Sequence, residues 1–155
     1  INTVNWNNLK ENSIVLHLES TGKPAAIQEM LARAQVFKRV RDLEVLEKAI
    51  LSREKVMTTG LGRGVAISHA EVPGLPGVEV ALGLSKKGIE FDAVDGKPVH
   101  ILFVVVNSKL KRAEYLEVLS TLTKLMRKEQ VRKEMLCCSS SGDVEKVLHN
   151  AALPA

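Results

Sequence analysis

Two spacings of apolar residues alternate along this chain and predict alternating strands and helices. Residues 14–18 read Ile-Val-Leu-His-Leu, a first strand, and Thr21-Gly22-Lys23-Pro24 supplies a turn and a helix entry, since proline suits the first helical turn. Ile27, Met30, Leu31 and Ala34 then recur at helical spacing, and Leu43, Leu46 and Ile50 mark a second helix. Residues 65–68 and 78–84 read as strands, and the unbroken apolar run 100–106 suits a strand buried on both faces, with Asp95-Gly96 as the turn before it. From about Lys111 a longer helix carries Tyr115, Val118, Leu119, Leu122, Leu125 and Met126 on one stripe, and shorter helices are expected over 129–136 and 143–151. The pattern predicts an α/β fold, a mixed sheet with helices on both faces. With no internal repeat, low-complexity segment or long linker, one domain over residues 1–155 is expected.

Composition narrows the class. A chain of 155 residues with 45% apolar content can bury a real core. No window approaches the roughly 20 apolar residues of a membrane span. Residues 1–10 are polar and unlike a signal peptide, so a cytoplasmic protein is expected. Cys137 and Cys138 are adjacent, which disfavours a disulfide between them, and no Cys or His spacing suggests a metal. They read as buried or incidental thiols, and no cofactor is called for. The net charge is +4, with Lys109, Lys111, Arg112, Lys124, Arg127, Lys128, Arg132 and Lys133 concentrated late in the chain. Only 3% of residues are aromatic, which argues against a dedicated nucleic-acid binder; a solvated helix face and a docking surface for an acidic protein remain as readings.

The candidate chemistry lies in residues 58–70, where a glycine-dense turn feeds a short apolar run ending on His69. An imidazole is well populated in its neutral, nucleophilic form near pH 7, and glycines leave backbone N–H groups open to an anion, phosphate being the obvious one. A strand rather than a helix follows the glycines, which excludes a Walker loop and a Rossmann fingerprint. Taken alone, a histidine at a strand end is usually a surface residue or one whose hydrogen bonds are already satisfied.

Longer-range features decide between those readings. Lys23, the helical stretch 25–34, Ser52-Arg53-Glu54-Lys55, Thr59-Gly60-Leu61-Gly62-x-Gly64-Val65-Ala66-Ile67-x-His69-Ala70, Phe91-Asp92-Ala93-x-Asp95-Gly96-x-Pro98-Val99 and Leu102-Phe103 occur in order, with Arg53 sixteen residues before His69. In this the chain resembles the type 2 (mannitol/fructose) enzyme IIA family of the bacterial phosphoenolpyruvate-dependent phosphotransferase system, which includes stand-alone nitrogen-regulatory IIA proteins. The resemblance covers nearly the whole chain and implies a mainly five-stranded mixed sheet.

It also implies that one ring nitrogen of His69 takes a phosphoryl group from the phosphohistidine of HPr or a paralogous carrier, without metal or nucleotide. Arg53 would then lie beside His69, where its guanidinium fork can grip phosphoryl oxygens; without the motif it is a helix-end cation pairing with Glu54 or Glu47. Thr58 and Thr59 offer hydroxyl donors and Gly60, Gly62 and Gly64 accessible backbone, or else form a plain turn. Two positions depart from the family pattern. Ser68 stands where proline commonly precedes the active histidine, which frees an N–H and relaxes a restraint on φ. Tyr115, forty-six residues after His69, stands where many members carry a second histidine facing the first. A phenol can donate one hydrogen bond to a phosphoryl oxygen but carries no positive charge at pH 7, and Tyr115 reads equally as core packing. His17, His100 and His149 have no partner at ligand spacing.

The implied functions are a phosphocarrier, with nitrogen-regulatory-like behaviour preferred over a sugar-uptake component serving a IIB partner, or a regulatory binding module acting on protein targets. A phosphoryl group beside a cationic face would change partner affinity in either case.

Overall fold

The run predicted to be buried on both faces forms the centre of the molecule. In a computed structural model that describes residue 9 and residues 11–152, β5 (Val99–Asn107) is buried at every position but the half-exposed His100. Apart from Leu9, the expectation for residues 1–10 lies outside the described residues. Around β5 the sheet has the order β1 (Ile14–Val15), β4 (Glu79–Ile89), β5, β3 (Val65–Glu71), β2 (Gly60–Gly62), five strands among the described residues, as the family resemblance implied. β4 pairs antiparallel with β5, and β3 pairs parallel with it on the other side, from Val65 opposite Ile101 to Glu71 opposite Asn107. β1 runs parallel to β4 and is shorter than the five residues expected. Beyond it Leu18 N–H still donates to Leu84 O at 2.8 Å, an isolated bond that does not extend the ladder.

β2 was not predicted as a strand, because three residues with two glycines carry no strand signal. It pairs antiparallel with β3 through a turn in which Gly62, Arg63 and Gly64 have φ of 90°, 59° and 78°. Its pairing ends early. The Ile67 N–H donates to Thr59 O at 3.1 Å, and past that bond no strand covers the outer margin of β3 among the described residues. The ladder to β5 meanwhile continues to Glu71, so His69 lies inside a strand rather than at its end, on a margin left open by the short hairpin.

Helices cover both faces. α1 (Lys23–Arg33) and α2 (Leu43–Val56) bury Ile27, Met30, Leu46 and Ile50 against Ala66, Ala70, Leu102 and Val104. α3 (Arg112–Met126), α4 (Glu129–Cys137) and α5 (Ser141–Ala152) bury Tyr115, Val118, Leu122, Met135 and Val144 against Val65, Ile67, Phe103 and Val105. Each such aliphatic or aromatic side chain contributes roughly 1.5–3 kcal/mol on leaving water. Alternation along β3 thus sends Ala66, Ser68 and Ala70 toward α1 and α2, and Val65, Ile67, His69 and Glu71 toward α3. Of the two thiols, Cys137 is exposed and Cys138 partly buried; both are free, which corrects the buried reading for the first.

Candidate functional site

α2 starts on Asp42, whose carboxylate accepts from Val45 N–H at 3.2 Å, and its inward stripe runs Leu46, Ile50, Glu54 at four-residue spacing. The stripe ends on a carboxylate whose side chain is only 3% exposed. Glu54 is fully engaged there. Its Oε2 accepts from Thr59 N–H at 3.0 Å and faces Lys23 Nζ at 3.4 Å, while its Oε1 accepts from the Ser68 hydroxyl at 3.2 Å and from the Thr59 hydroxyl. Lys23 also lies 3.7 Å from Asp92 and 4.9 Å above the Phe91 ring. Four elements or their connections are tied through one buried carboxylate, which has the partners a buried charge requires.

That knot positions the two residues next to it in sequence. Arg53 precedes Glu54 on α2, and His69 follows Ser68 on β3. Both line one open groove of about 500 Å³, together with Ala49, Ala70, Glu71, Lys109, Arg112, Tyr115, Leu116 and Leu119. The structure therefore brings Arg53, His69 and Tyr115 together. Arg53 Nη1 donates to Met57 O at 2.9 Å, tying down an end carbonyl of α2, and Glu54 pairs with Lys23 instead of with Arg53.

His69 is half-buried, and its Nδ1 lies 2.9 Å from Ile67 O. A carbonyl oxygen only accepts, so this contact places the ring proton on Nδ1 and leaves the lone pair of the neutral ring on Nε2. The Tyr115 ring meets the His69 ring edge-on, with centroids 6.2 Å apart and planes at 62°. Burial pushes the Tyr115 phenol above its usual range and Glu71 adds to this, against the opposing pull of Arg53 and Arg112. The phenol is therefore neutral at pH 7, and its 5% exposure also makes it part of the core beneath α3.

Thr59, Gly60 and Gly62 are not among the residues lining this groove. The Thr59 N–H and hydroxyl are both spent on Glu54, and Gly60 N–H is 3.1 Å from the Thr58 hydroxyl, which itself donates to Phe91 O at 2.9 Å. Gly60 packs so closely on the loop before β5 that a Cβ there would lie 2.8 Å from Ala93 Cα. Gly62 lines a second, smaller groove of about 350 Å³ with Leu61, Arg63, Val65, Thr123, Met126 and Arg127. The glycines and threonines thus build the hairpin that ends beside His69.

Sequence reasoning missed Glu54, Glu71 and Arg112 as site residues. Glu54 was detectable, because it extends the apolar stripe of α2 by one further turn. Glu71 lies two residues beyond His69 on the same strand face, but its contact with Arg112, at 2.5 Å between Oε1 and Nη2, spans forty-one residues. Ser68, expected to loosen the approach to His69, is completely buried and fastened to Glu54. The other histidines lie elsewhere: His17 and His149 are exposed, and His100 Nδ1 lies 2.7 Å from Ser85 O.

Residues 7–151 match the family model described as phosphoenolpyruvate-dependent sugar phosphotransferase system, EIIA 2. The chain belongs to this family. It is 31% identical over 141 residues to the PTS system fructose-specific EIIABC component of Bacillus subtilis, spanning 91% of this chain but 22% of that larger protein. A PTS system fructose-specific EIIA component of Haloferax volcanii is 36% identical over 81% of this chain and 82% of its own length. Among solved structures, the nitrogen regulatory protein IIA-Ntr of Neisseria meningitidis superposes with a TM-score of 0.85 at 29% identity, covering 92% of this chain and 97% of that one. No helix among the described residues is long and apolar enough to cross a membrane, and none of their His, Cys, Asp and Glu side chains group as a metal site.

Proposed function

We propose that His69 is the phosphoacceptor of a phosphocarrier IIA domain. Nε2 attacks the phosphorus of a phosphohistidine on an HPr-like carrier; the new Nε2–P bond forms as the carrier's N–P bond breaks, and the carrier imidazole leaves with the bonding pair. The observation that carries this reading is the Nδ1 contact to Ile67 O, which leaves Nε2 as the nucleophilic nitrogen of a ring lining the same groove as a guanidinium. No general base is needed, because Nε2 already holds its lone pair. Arg53, at the same groove, is suited to meet the charge spread over the equatorial oxygens of a loose transition state. Tyr115, whose ring meets that of His69 edge-on, is suited to offer a neutral hydroxyl to the same group. Thr59, Gly60 and Gly62 act on the phosphoryl group only through the hairpin they build.

The nitrogen-regulatory-like role is preferred, in which phosphorylation of His69 alters binding to regulated protein targets. The close superposition on the neisserial IIA-Ntr supports it. A second reading, a sugar-uptake component that passes the phosphoryl group to a IIB protein, draws support from the haloarchaeal fructose EIIA relative. A cytoplasmic location fits either role.

Incubation with phosphoenolpyruvate, enzyme I and the carrier is expected to add one acid-labile phosphate to His69, and none to the His69→Ala variant, by mass spectrometry. Absence of label on the wild type ends the carrier reading. Adding a fructose-class IIB then separates the two roles, since rapid loss of the label to IIB favours sugar uptake.

A further inference from the structure

Arg112 and Glu71 are paired at the groove that holds His69, and their pairing is lopsided. Glu71 shares a strand face with His69 and is held from two sides: Arg112 Nη2 lies 2.5 Å from Oε1, and the fully buried Asn107 donates through Nδ2 to Oε2 at 3.0 Å. A longer contact of 3.5 Å joins Arg112 Nε to Oε2. The Glu71 side chain is 13% exposed, whereas that of Arg112 is 69% exposed. If the pair opens, the guanidinium moves and the carboxylate stays.

The position of Arg112 is costly on local grounds. It is the first residue of α3, where the helix dipole disfavours a cation, and Lys111 at the N-cap makes no side-chain capping bond. Lys109, which also lines the groove, adopts a left-handed φ of 75° that costs of order 1 kcal/mol for a side-chain-bearing residue. Cations are therefore gathered at this rim against helix and backbone preference. Tyr115, one turn along α3 from Arg112, brings a neutral phenol to the His69 ring and no charge.

We infer that Arg112 is a mobile phosphoryl clamp, parked on Glu71 while His69 is free and transferred to the phosphoryl oxygens when His69 is loaded. The inference rests on the proposed phosphoacceptor role of His69. A dianionic phosphoryl group outcompetes a monoanionic carboxylate for the guanidinium, and the fork that now meets Glu71 suits two phosphoryl oxygens equally well. Glu71 keeps its bond from Asn107 after Arg112 leaves. Left with the weaker pull of Lys109, its charge then stands near the phosphoryl group and favours onward transfer.

The test loads His69 chemically with phosphoramidate, which needs no partner protein: the Nε2–P bond forms as the N–P bond of phosphoramidate breaks and ammonia leaves. Loading rates are followed by phosphorus NMR for wild type, Arg112→Ala, Arg112→Lys and Glu71→Gln, with thermal melts as folding controls. A clamp requires opposite effects. Arg112→Ala slows loading by at least about tenfold, Arg112→Lys recovers part of the loss, and Glu71→Gln loads faster than wild type because the guanidinium is released. In the wild type the Arg112 Nε–H resonance should also shift on loading. A purely structural tie between β3 and α3 is broken equally by Arg112→Ala and Glu71→Gln, so effects of the same sign, or none, overturn the clamp while leaving the phosphoacceptor reading intact. A wild type that phosphoramidate and the carrier both fail to label at His69 overturns both.

Discussion

Ser68 donates its hydroxyl to Glu54 across 3.2 Å, so the residue just before His69 is fastened to the residue just after Arg53. The bond sets how β3 and α2 meet at the groove. Glu54→Leu strands the Thr59 and Ser68 donors and leaves Lys23 with the exposed Asp92 as its carboxylate partner, and is expected to cost about 3–4 kcal/mol of stability in urea titration. Glu54→Gln keeps an acceptor oxygen and should cost about 1–2 kcal/mol, and Ser68→Ala about 1 kcal/mol. An unchanged midpoint for Glu54→Leu contradicts the role given to this carboxylate.

The order of helices and most strands was legible in the apolar spacing because each element has one buried face and a regular period. β2 was not: its pairing is imposed by β3 and the 62–64 turn, and two of its three residues are glycine. β1 was overestimated because Leu16 and Leu18 are apolar without extending the ladder on β4. Motif order singled out Arg53 and His69, and the forty-six-residue spacing from His69 singled out Tyr115; all three line one groove. Thr59, Gly60 and Gly62 carried the same motif but lie outside the lining of that groove, held by Glu54 and Ala93 in contacts that are invisible in local sequence.

Arg53→Ala is expected to slow phosphoryl transfer by at least about tenfold, or roughly 1.4 kcal/mol of barrier. It also loses the bond to Met57 O, worth about 0.5–1.5 kcal/mol of stability. Arg53→Lys keeps the charge without the fork and should fall between. Single-turnover transfer from the phosphorylated carrier measures the first effect and urea unfolding the second; an unchanged transfer rate makes Arg53 a helix-end residue only.

Gly60→Ala separates structure from chemistry. The added methyl would sit 2.8 Å from Ala93 Cα, and overpacking against backbone costs about 1–3 kcal/mol. The melting temperature should fall, while transfer by the folded fraction at low temperature stays within about twofold, a difference under 0.5 kcal/mol in barrier. A large loss of transfer without loss of stability would instead assign Gly60 to the phosphoryl group.

Acid should expose a second stabilising carboxylate, away from the groove. Burial alone would raise the Glu29 carboxyl, but hydrogen bonds from Ser20, Glu19 N–H and Arg33 outweigh it and bring it from 4.5 to about 2. The folded value lies below the unfolded one, so the stabilisation is present in full above about pH 4.5 and disappears as pH falls through about 2. Allowing for solvent screening, the loss is of order 1–2 kcal/mol. Denaturation of Glu29→Gln at pH 6 and pH 2.5 should show a smaller drop between the two than wild type; parallel losses contradict the assignment.

The contact between His69 Nδ1 and Ile67 O has a consequence for thermodynamic bookkeeping in the proposed relay. The imidazole can gain or surrender its cargo at the far nitrogen while the near hydrogen stays on Nδ1, donated to the main-chain carbonyl, so neither direction must wait for solvent or a neighbouring side chain to take up or release H⁺. A carrier built this way would exchange its cargo without a coupled proton transfer. Its occupancy would then follow the ratio of loaded to empty partners, as the proposed regulatory role requires.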